Sequence, residues 1–292
     1  MINWNYYALK VKGDKTHYFT RFNKKLSYKK FKKKNWNDQL KISFRENQFY
    51  KSKSIFFKKY LNRDYLVYVD FIKKNISKDK RILSIGSGRG ISELKLLEMG
   101  YNITLSDIEY PDGITKLKKN FKNLNFLKFN IFKNNIKKKY DVILCFNLIY
   151  AFDKKTLNIF FKNCQKILKE NGSILVSPGG STLNPFKLIY EKIYLPLEIS
   201  LLFLMSFFKK KNYEIFSFHH GYCYSDKEII YQANKNNLRL YKKIVRGDFL
   251  TEFNRSLIIG KYLLKYRFFR CIFNTIGKSI PFVNIFYLKR SK

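Results

Sequence analysis

Paired cysteines are missing from this chain. Cys145, Cys164, Cys223 and Cys271 stand far apart, with no C-x-x-C pair and no ligating histidine beside them. That excludes a zinc-ribbon site and a disulfide framework, so no metal is expected and a reducing cytoplasm fits best. Long hydrophobic runs are missing too. The start, MINWNYYALKVKGDK, lacks the apolar core of a secretion signal. The most apolar stretch, Leu188 to Phe208, is interrupted by Glu191, Lys192, Pro196 and Glu198. Its clean run falls short of the ~20 residues a bilayer span requires. Acidic side chains are scarce: 21 Asp and Glu oppose 59 Lys and Arg, for a formal net charge of +38. Such a surface attracts nucleic acid, anionic membrane or acidic substrates. Arginine, however, is itself scarce, while Lys, Asn, Ile, Phe and Tyr crowd the sequence. A phosphate-reading surface favours Arg for its bidentate fork. Most of the charge is therefore ascribed to an A/T-rich coding bias, and a smaller share to an anionic partner.

What is present is enough for a sizeable core. With 292 residues, 46% of them hydrophobic and 18% aromatic, the chain is expected to form one α/β domain with embellishments. Arg81 to Ile85 reads as a short buried strand, and Gly86, Gly88 and Gly90 as a tight turn. Ile91 to Leu97 then has apolar positions on one helical face, and Gly100 ends that helix. Ile103-Thr104-Leu105 is the next strand, with Asp107 at its carboxyl end. Together these form a βαβ nucleotide-binding unit. Glycines let backbone N–H groups approach a ligand, and an acid about twenty residues on can accept from two ribose hydroxyls.

The position of the third glycine in a dinucleotide fingerprint is held by Ile91. The pattern Leu83-Ser84-Ile85-Gly86-Ser87-Gly88-Arg89-Gly90, with Asp107 ending the next strand, instead resembles the first motif of class I S-adenosylmethionine-dependent methyltransferases. The resemblance implies a doubly wound, Rossmann-like sheet of seven strands, with S-adenosylmethionine as cofactor. It also implies that Ser84, Gly86, Ser87, Gly88, Gly90, Asp107 and Ile108 bind that cofactor. One departure stands out: the family's motif carries an acid where this chain has Ser84, and that acid helps hold the loop and the methionyl end.

Further stretches fit the same family. Asn125 to Phe129 reads as the third strand, leading to Asn130 and Ile131, where the resemblance places the adenine. Asn130 can accept from the adenine amino group through its amide oxygen. Tyr140 to Phe146 is the near-continuous apolar run of a central parallel strand. Asn147 follows it, near the methionyl end, and no proline follows Asn147, which argues against methylation of a nucleic-acid base. A helix over Lys155 to Lys169, a turn at Glu170-Asn171-Gly172 and an apolar strand from Ser173 to Ser177 repeat a feature of these enzymes. Leu238 to Ile244 and Val283 to Lys289 read as the last two strands, the final one antiparallel.

Outside the core, residues 1–78 form a basic extension with helices that pack on the domain, and residues 79–292 form the methyltransferase domain. Tyr60 or Tyr65 is expected near the cofactor. Lid-like apolar insertions are expected at about 181–216 and 250–280. They serve as pocket wall, membrane face or dimer contact; oligomeric state is left open. Ser225 and Glu228 make a capping box that opens a helix. The segment before it resembles the approach in small-molecule methyltransferases where a histidine faces the active site, which makes His219 or His220 a candidate general base. The resulting expectation is methyl transfer to a small molecule: a sugar, a glycolipid or a lipid-linked hydroxyl. The enzyme would be cytoplasmic, with peripheral contact to anionic membrane. Alternatives are an RNA methyltransferase using the basic surface, and a cofactor-binding protein of this fold without turnover.

Overall fold

A computed structural model describes residues 1–11, 16–19, 24–27, 44–61, 63–134, 136–178 and 213–246. It also describes 266–269, 271–272, 283–291 and a few positions between 188 and 204. Its centre is a seven-stranded sheet built from β4 (Ile82–Ile85), β5 (Ile103–Asp107), β6 (Asn125–Lys128), β7 (Tyr140–Phe146), β8 (Leu168–Ser177), β10 (Leu238–Arg246) and β11 (Val283–Arg290). The strand order is β10-β11-β8-β7-β4-β5-β6. Strands β4 to β8 run parallel, with Leu83 opposite Thr104 on one side and Ile143 on the other. Strand β11 is antiparallel to both neighbours, Phe286 facing Val176 and Lys243.

Both faces of this sheet are buried, and the alternation of side chains divides the core in two. Ile82, Leu105, Leu144 and Ile285 point to one layer, where they meet helices α1 (Lys53–Tyr60), α2 (Arg63–Asn75) and α3 (Ile91–Glu98). Leu83, Ile143 and Phe286 point to the other, against α5 (Lys154–Ile167) and α6 (Asp226–Asn234). Adjacent residues serving opposite layers is the period-2 geometry of a strand, and burial of both layers explains the unbroken apolar runs. Helix α5 shows the matching period: Leu157, Phe160, Phe161, Cys164 and Ile167 are its buried stripe. Its start is fixed by Asp153, whose carboxylate accepts from Thr156 N at 2.7 Å. The Ser225–Glu228 capping box forms as expected and opens α6.

Several boundaries differ from the sequence reading. The turn expected at Glu170-Asn171-Gly172 lies inside β8, at a register shift where Tyr140 pairs with Leu168 but Val142 with Ser173. The short basic helix expected over Ile114 to Phe121 forms as α4, two residues earlier at its start and four at its end, Asp112–Leu117. The extension ahead of the core contains α1 and α2, and also strands the sequence did not announce. β1 (Ile2–Val11), β2 (Thr16–Phe19), β3 (Lys24–Ser27) and β9 (Tyr213–Cys223) form an antiparallel sheet in the order β3-β2-β1-β9. Most of the expected lid positions in 181–216 and 250–280 lie outside the described residues.

Candidate functional site

The chain runs from β4 to β5 to β6 on one side of the sheet, then returns to place β7 on the other side of β4. Where the order reverses, the loops after neighbouring strands part and leave a crevice at the strands' carboxyl ends. A cavity of about 790 Å³ opens there, within the range of small-molecule sites. Gly86, Ser87, Gly88, Gly90, Asp107, Ile108, Asn130, Ile131 and Asn147 all line it. Residues from four separate loops thus converge because their strands are adjacent.

The glycine turn must be glycine for two distinct reasons. Gly86 and Gly90 have φ of +67° and +63°, in the left-handed region that L side chains avoid. A Cβ on Gly86 would stand 2.6 Å from Leu148 Cδ2, and one on Gly90 would stand 2.3 Å from Leu105 Cδ2. Asp107 then ties the turn to β5. Its Oδ2 accepts from Gly88 N and its Oδ1 from Ile108 N, each at 2.8 Å. Burial pushes the Asp107 carboxyl above its ordinary range, and these two backbone donors oppose that rise. Each oxygen keeps acceptor capacity for a ligand hydroxyl.

Beyond β7, Asn147 is held at φ 55°, uncommon for a residue with a side chain. Three contacts impose it. Its N–H donates to Ser177 O at 2.9 Å, its Oδ1 accepts from Tyr68 Oη at 3.1 Å, and that hydroxyl also lies 3.1 Å from Ser177 Oγ. The Tyr68 ring stacks on Phe146 with centroids 4.2 Å apart. Helix α2 therefore braces the site from behind, through Tyr68, a buried residue that does not itself line the cavity and that sequence reasoning missed. Its signal was modest: Tyr68 follows Tyr65 by three positions on the same helical face. A Tyr68→Phe variant is expected to lose ~1–3 kcal/mol of stability in urea unfolding, since its hydroxyl contacts both Asn147 and Ser177 and its loss takes a polar partner from each.

One residue proposed from sequence is placed differently, and a second is where it was expected but already partly engaged. Ser84 does not line the cavity; it lies beneath the turn, 1% exposed. Asn130 does line it, but its amide oxygen accepts from Phe132 N at 2.9 Å, so one lone pair is engaged in a local turn. His219 and His220 lie on β9, and their side chains are outside the described residues. The backbone there passes the site: a Cβ on Gly221 would stand 2.4 Å from the carbonyl oxygen of Tyr150, a cavity residue. His219 pairs with Asn5, and the register skips His220. Tyr60 and Tyr65 both line the cavity. Arg89 spans its edge, 3.0 Å from Glu46 and over the Tyr60 ring.

A family model described as a methyltransferase domain matches residues 57–241. The chain belongs to this methyltransferase family. Members of the family draw the methyl group from S-adenosylmethionine. The methyltransferase's fold is similar to that of an S-adenosylmethionine-dependent methyltransferase from Clostridium acetobutylicum ATCC 824. The TM-score is 0.51 at 15% identity, covering 85% of this chain and 100% of that one. It is also similar to the CcbJ methyltransferase from Streptomyces caelestis, with a TM-score of 0.50 at 13% identity, covering 79% and 91%. At these identities the likeness concerns the fold. A curated relative, the ubiquinone biosynthesis O-methyltransferase of Rickettsia akari (strain Hartford), is 30% identical over 112 residues. That match covers 37% of the methyltransferase and 42% of the relative, so the chain spans less than half the relative's length.

The cavity fits the cofactor chemically. Ser87 Oγ is buried at its wall without a hydrogen-bond partner among the described residues, and so is ready for a polar ligand. Asp107 offers a carboxylate to a sugar diol, while Ile108, Ile131 and Phe132 offer apolar surface to a ring. Asn163 Nδ2 donates to Ile131 O at 3.0 Å, anchoring the loop after β6 to α5.

Proposed function

We propose that this methyltransferase transfers the methyl group of S-adenosylmethionine to a small molecule with an apolar portion, such as a glycolipid or lipid-linked hydroxyl. One observation carries the reading: Gly86, Gly88, Asp107, Ile131 and Asn147, all cofactor positions by resemblance, line a single cavity at the sheet's switch point. The cofactor supplies an activated methyl on a sulfonium carbon. The chain's part is to bind, orient and exclude water. The glycine turn and Asp107 hold the ribose side, and Asn130 and Ile131 hold the base. Asn147, fixed by Tyr68, borders the space where an acceptor enters. His219 or His220 takes the proton when the acceptor is a hydroxyl.

The apolar acceptor is supported by Ile193, Leu197, Leu201 and Leu204, which are exposed at near-helical spacing in the expected insertion. No helix among the described residues is long and apolar enough to cross a membrane. Peripheral contact with anionic lipid suits both that face and the charge of +38. The same charge favours a second reading, methylation of RNA, for which binding should weaken steeply with salt. The deciding experiment incubates fractionated cell extract with methyl-labelled S-adenosylmethionine and identifies the labelled product. A labelled lipid-soluble small molecule supports the first reading and labelled RNA the second. Cofactor binding by calorimetry with no labelled product from any fraction would leave a binding protein without turnover.

A further inference from the structure

The motif's missing acid and a buried carboxylate meet at one point. Ser84, on β4, donates through Oγ to Glu93 Oε1 at 2.8 Å, and Ser92 Oγ donates to Glu93 Oε2 at 2.8 Å. Glu93 belongs to the first turn of α3, is 4% exposed, and nevertheless lines the cavity. No cation among the described residues lies within ion-pairing distance of it; the nearby Arg89 is paired with Glu46. Burial pushes its carboxyl above the ordinary range, against the pull of the two hydroxyls and of its own backbone N–H. A carboxylate taken out of water without a positive partner is costly, and persists where a ligand brings the opposite charge. The helix N-terminus gives it partial support only.

We propose that Glu93 binds the α-ammonium of the cofactor's methionyl tail, its carboxylate standing where the family's motif acid would end. The assignment rests on the cofactor reading above. It divides the two cavity carboxylates by their surroundings. Both Asp107 oxygens take backbone N–H groups and serve neutral hydroxyl donors. Glu93 takes two hydroxyls and the backbone N–H of its own residue, and with no cation beside it among the described residues it keeps its charge for a cationic ligand. Ser84 is then a positioning residue: it is small enough to leave room for the Glu93 side chain, and it aims one oxygen. The site has kept its charge and moved the residue that carries it from strand to helix.

The test is calorimetric and does not depend on turnover. S-adenosylmethionine and 5′-methylthioadenosine, which lacks the amino-acid tail, are titrated into wild type and Glu93→Gln. Loss of one partner of a buried charge pair predicts at least a ~30-fold weaker S-adenosylmethionine affinity in the variant. Affinity for 5′-methylthioadenosine should stay within about twofold, since the tail is the part affected. A Ser84→Asp, Glu93→Ala double variant, with the carboxylate returned to the strand, should recover most of the lost affinity. Equal weakening of both ligands would make Glu93 a structural residue, and unchanged S-adenosylmethionine binding by Glu93→Gln would also overturn the proposal. If wild type itself binds neither compound, the cofactor reading fails first and this assignment falls with it.

Discussion

Replacing Asp107 with alanine is expected to weaken S-adenosylmethionine binding by two orders of magnitude or more. The carboxylate ends β5 and lines the cavity half-buried, whereas the nearby Glu109 does not line it. A hydrogen bond to a charged acceptor is worth about 1.5–3 kcal/mol, so two ribose hydroxyls correspond to roughly 3–6 kcal/mol. That is about 10²- to 10⁴-fold in affinity. The variant also frees Gly88 N, which Asp107 now holds at 2.8 Å, so the turn loses its tie to β5. Asp107→Asn keeps an acceptor for Gly88 but not the charge, and should fall between the two. Calorimetric titration measures all three proteins. An Asp107→Ala protein that binds S-adenosylmethionine like wild type would show that the ribose is held elsewhere.

The second large effect is on stability, and it separates two glycines that stand only two positions apart. Gly90→Ala places a methyl 2.3 Å from Leu105 Cδ2 and 3.4 Å from Ile114 Cδ1, both in the buried core. Overpacking of this kind costs ~1–3 kcal/mol, and a side chain in the left-handed region about 1–2 kcal/mol more. A total of roughly 2–5 kcal/mol is a large fraction of a domain's stability. Gly88→Ala meets nothing within 4 Å, although its φ is +54°. It should lose only ~1–2 kcal/mol, from the backbone alone. Because Gly88 lines the cavity, its added methyl should act mainly on the cofactor, lowering affinity in a protein that still folds. Urea unfolding paired with calorimetry distinguishes the patterns. Equal destabilisation by both substitutions would contradict the packing described for Gly90.

Local patterns made the central sheet legible from sequence, and distance hid the rest. Each core strand was a short apolar run closed by glycine or a polar turn, and the Ser225–Glu228 box announced α6 through residues three apart. The positions after β4, β5, β6 and β7 could be matched to a motif, which is why they also turned up around one cavity. The small sheet could not be read in this way. Its defining pairs join Ile2 to Cys223 and Val11 to Tyr213, and nothing in either segment names its partner. Glu93 was hidden for a different reason. A glutamate within a helix is ordinarily solvated, and only the fold of the glycine turn brings it under Ser84, nine positions earlier. Tyr68 likewise acts on Asn147, from a helix 79 residues upstream.

Strand β11 lies between β8 and β10 and is the latest element of the sheet in the chain. While the nascent protein is still on the ribosome, β8 therefore has one side unpaired until residues 283–290 have emerged. An open row of backbone donors and acceptors invites pairing with other chains, and pairing between distant segments is slow to form. Chaperone protection during synthesis would be needed most over that interval, and a premature stop before Val283 would leave a sticky product, however complete its cofactor loops.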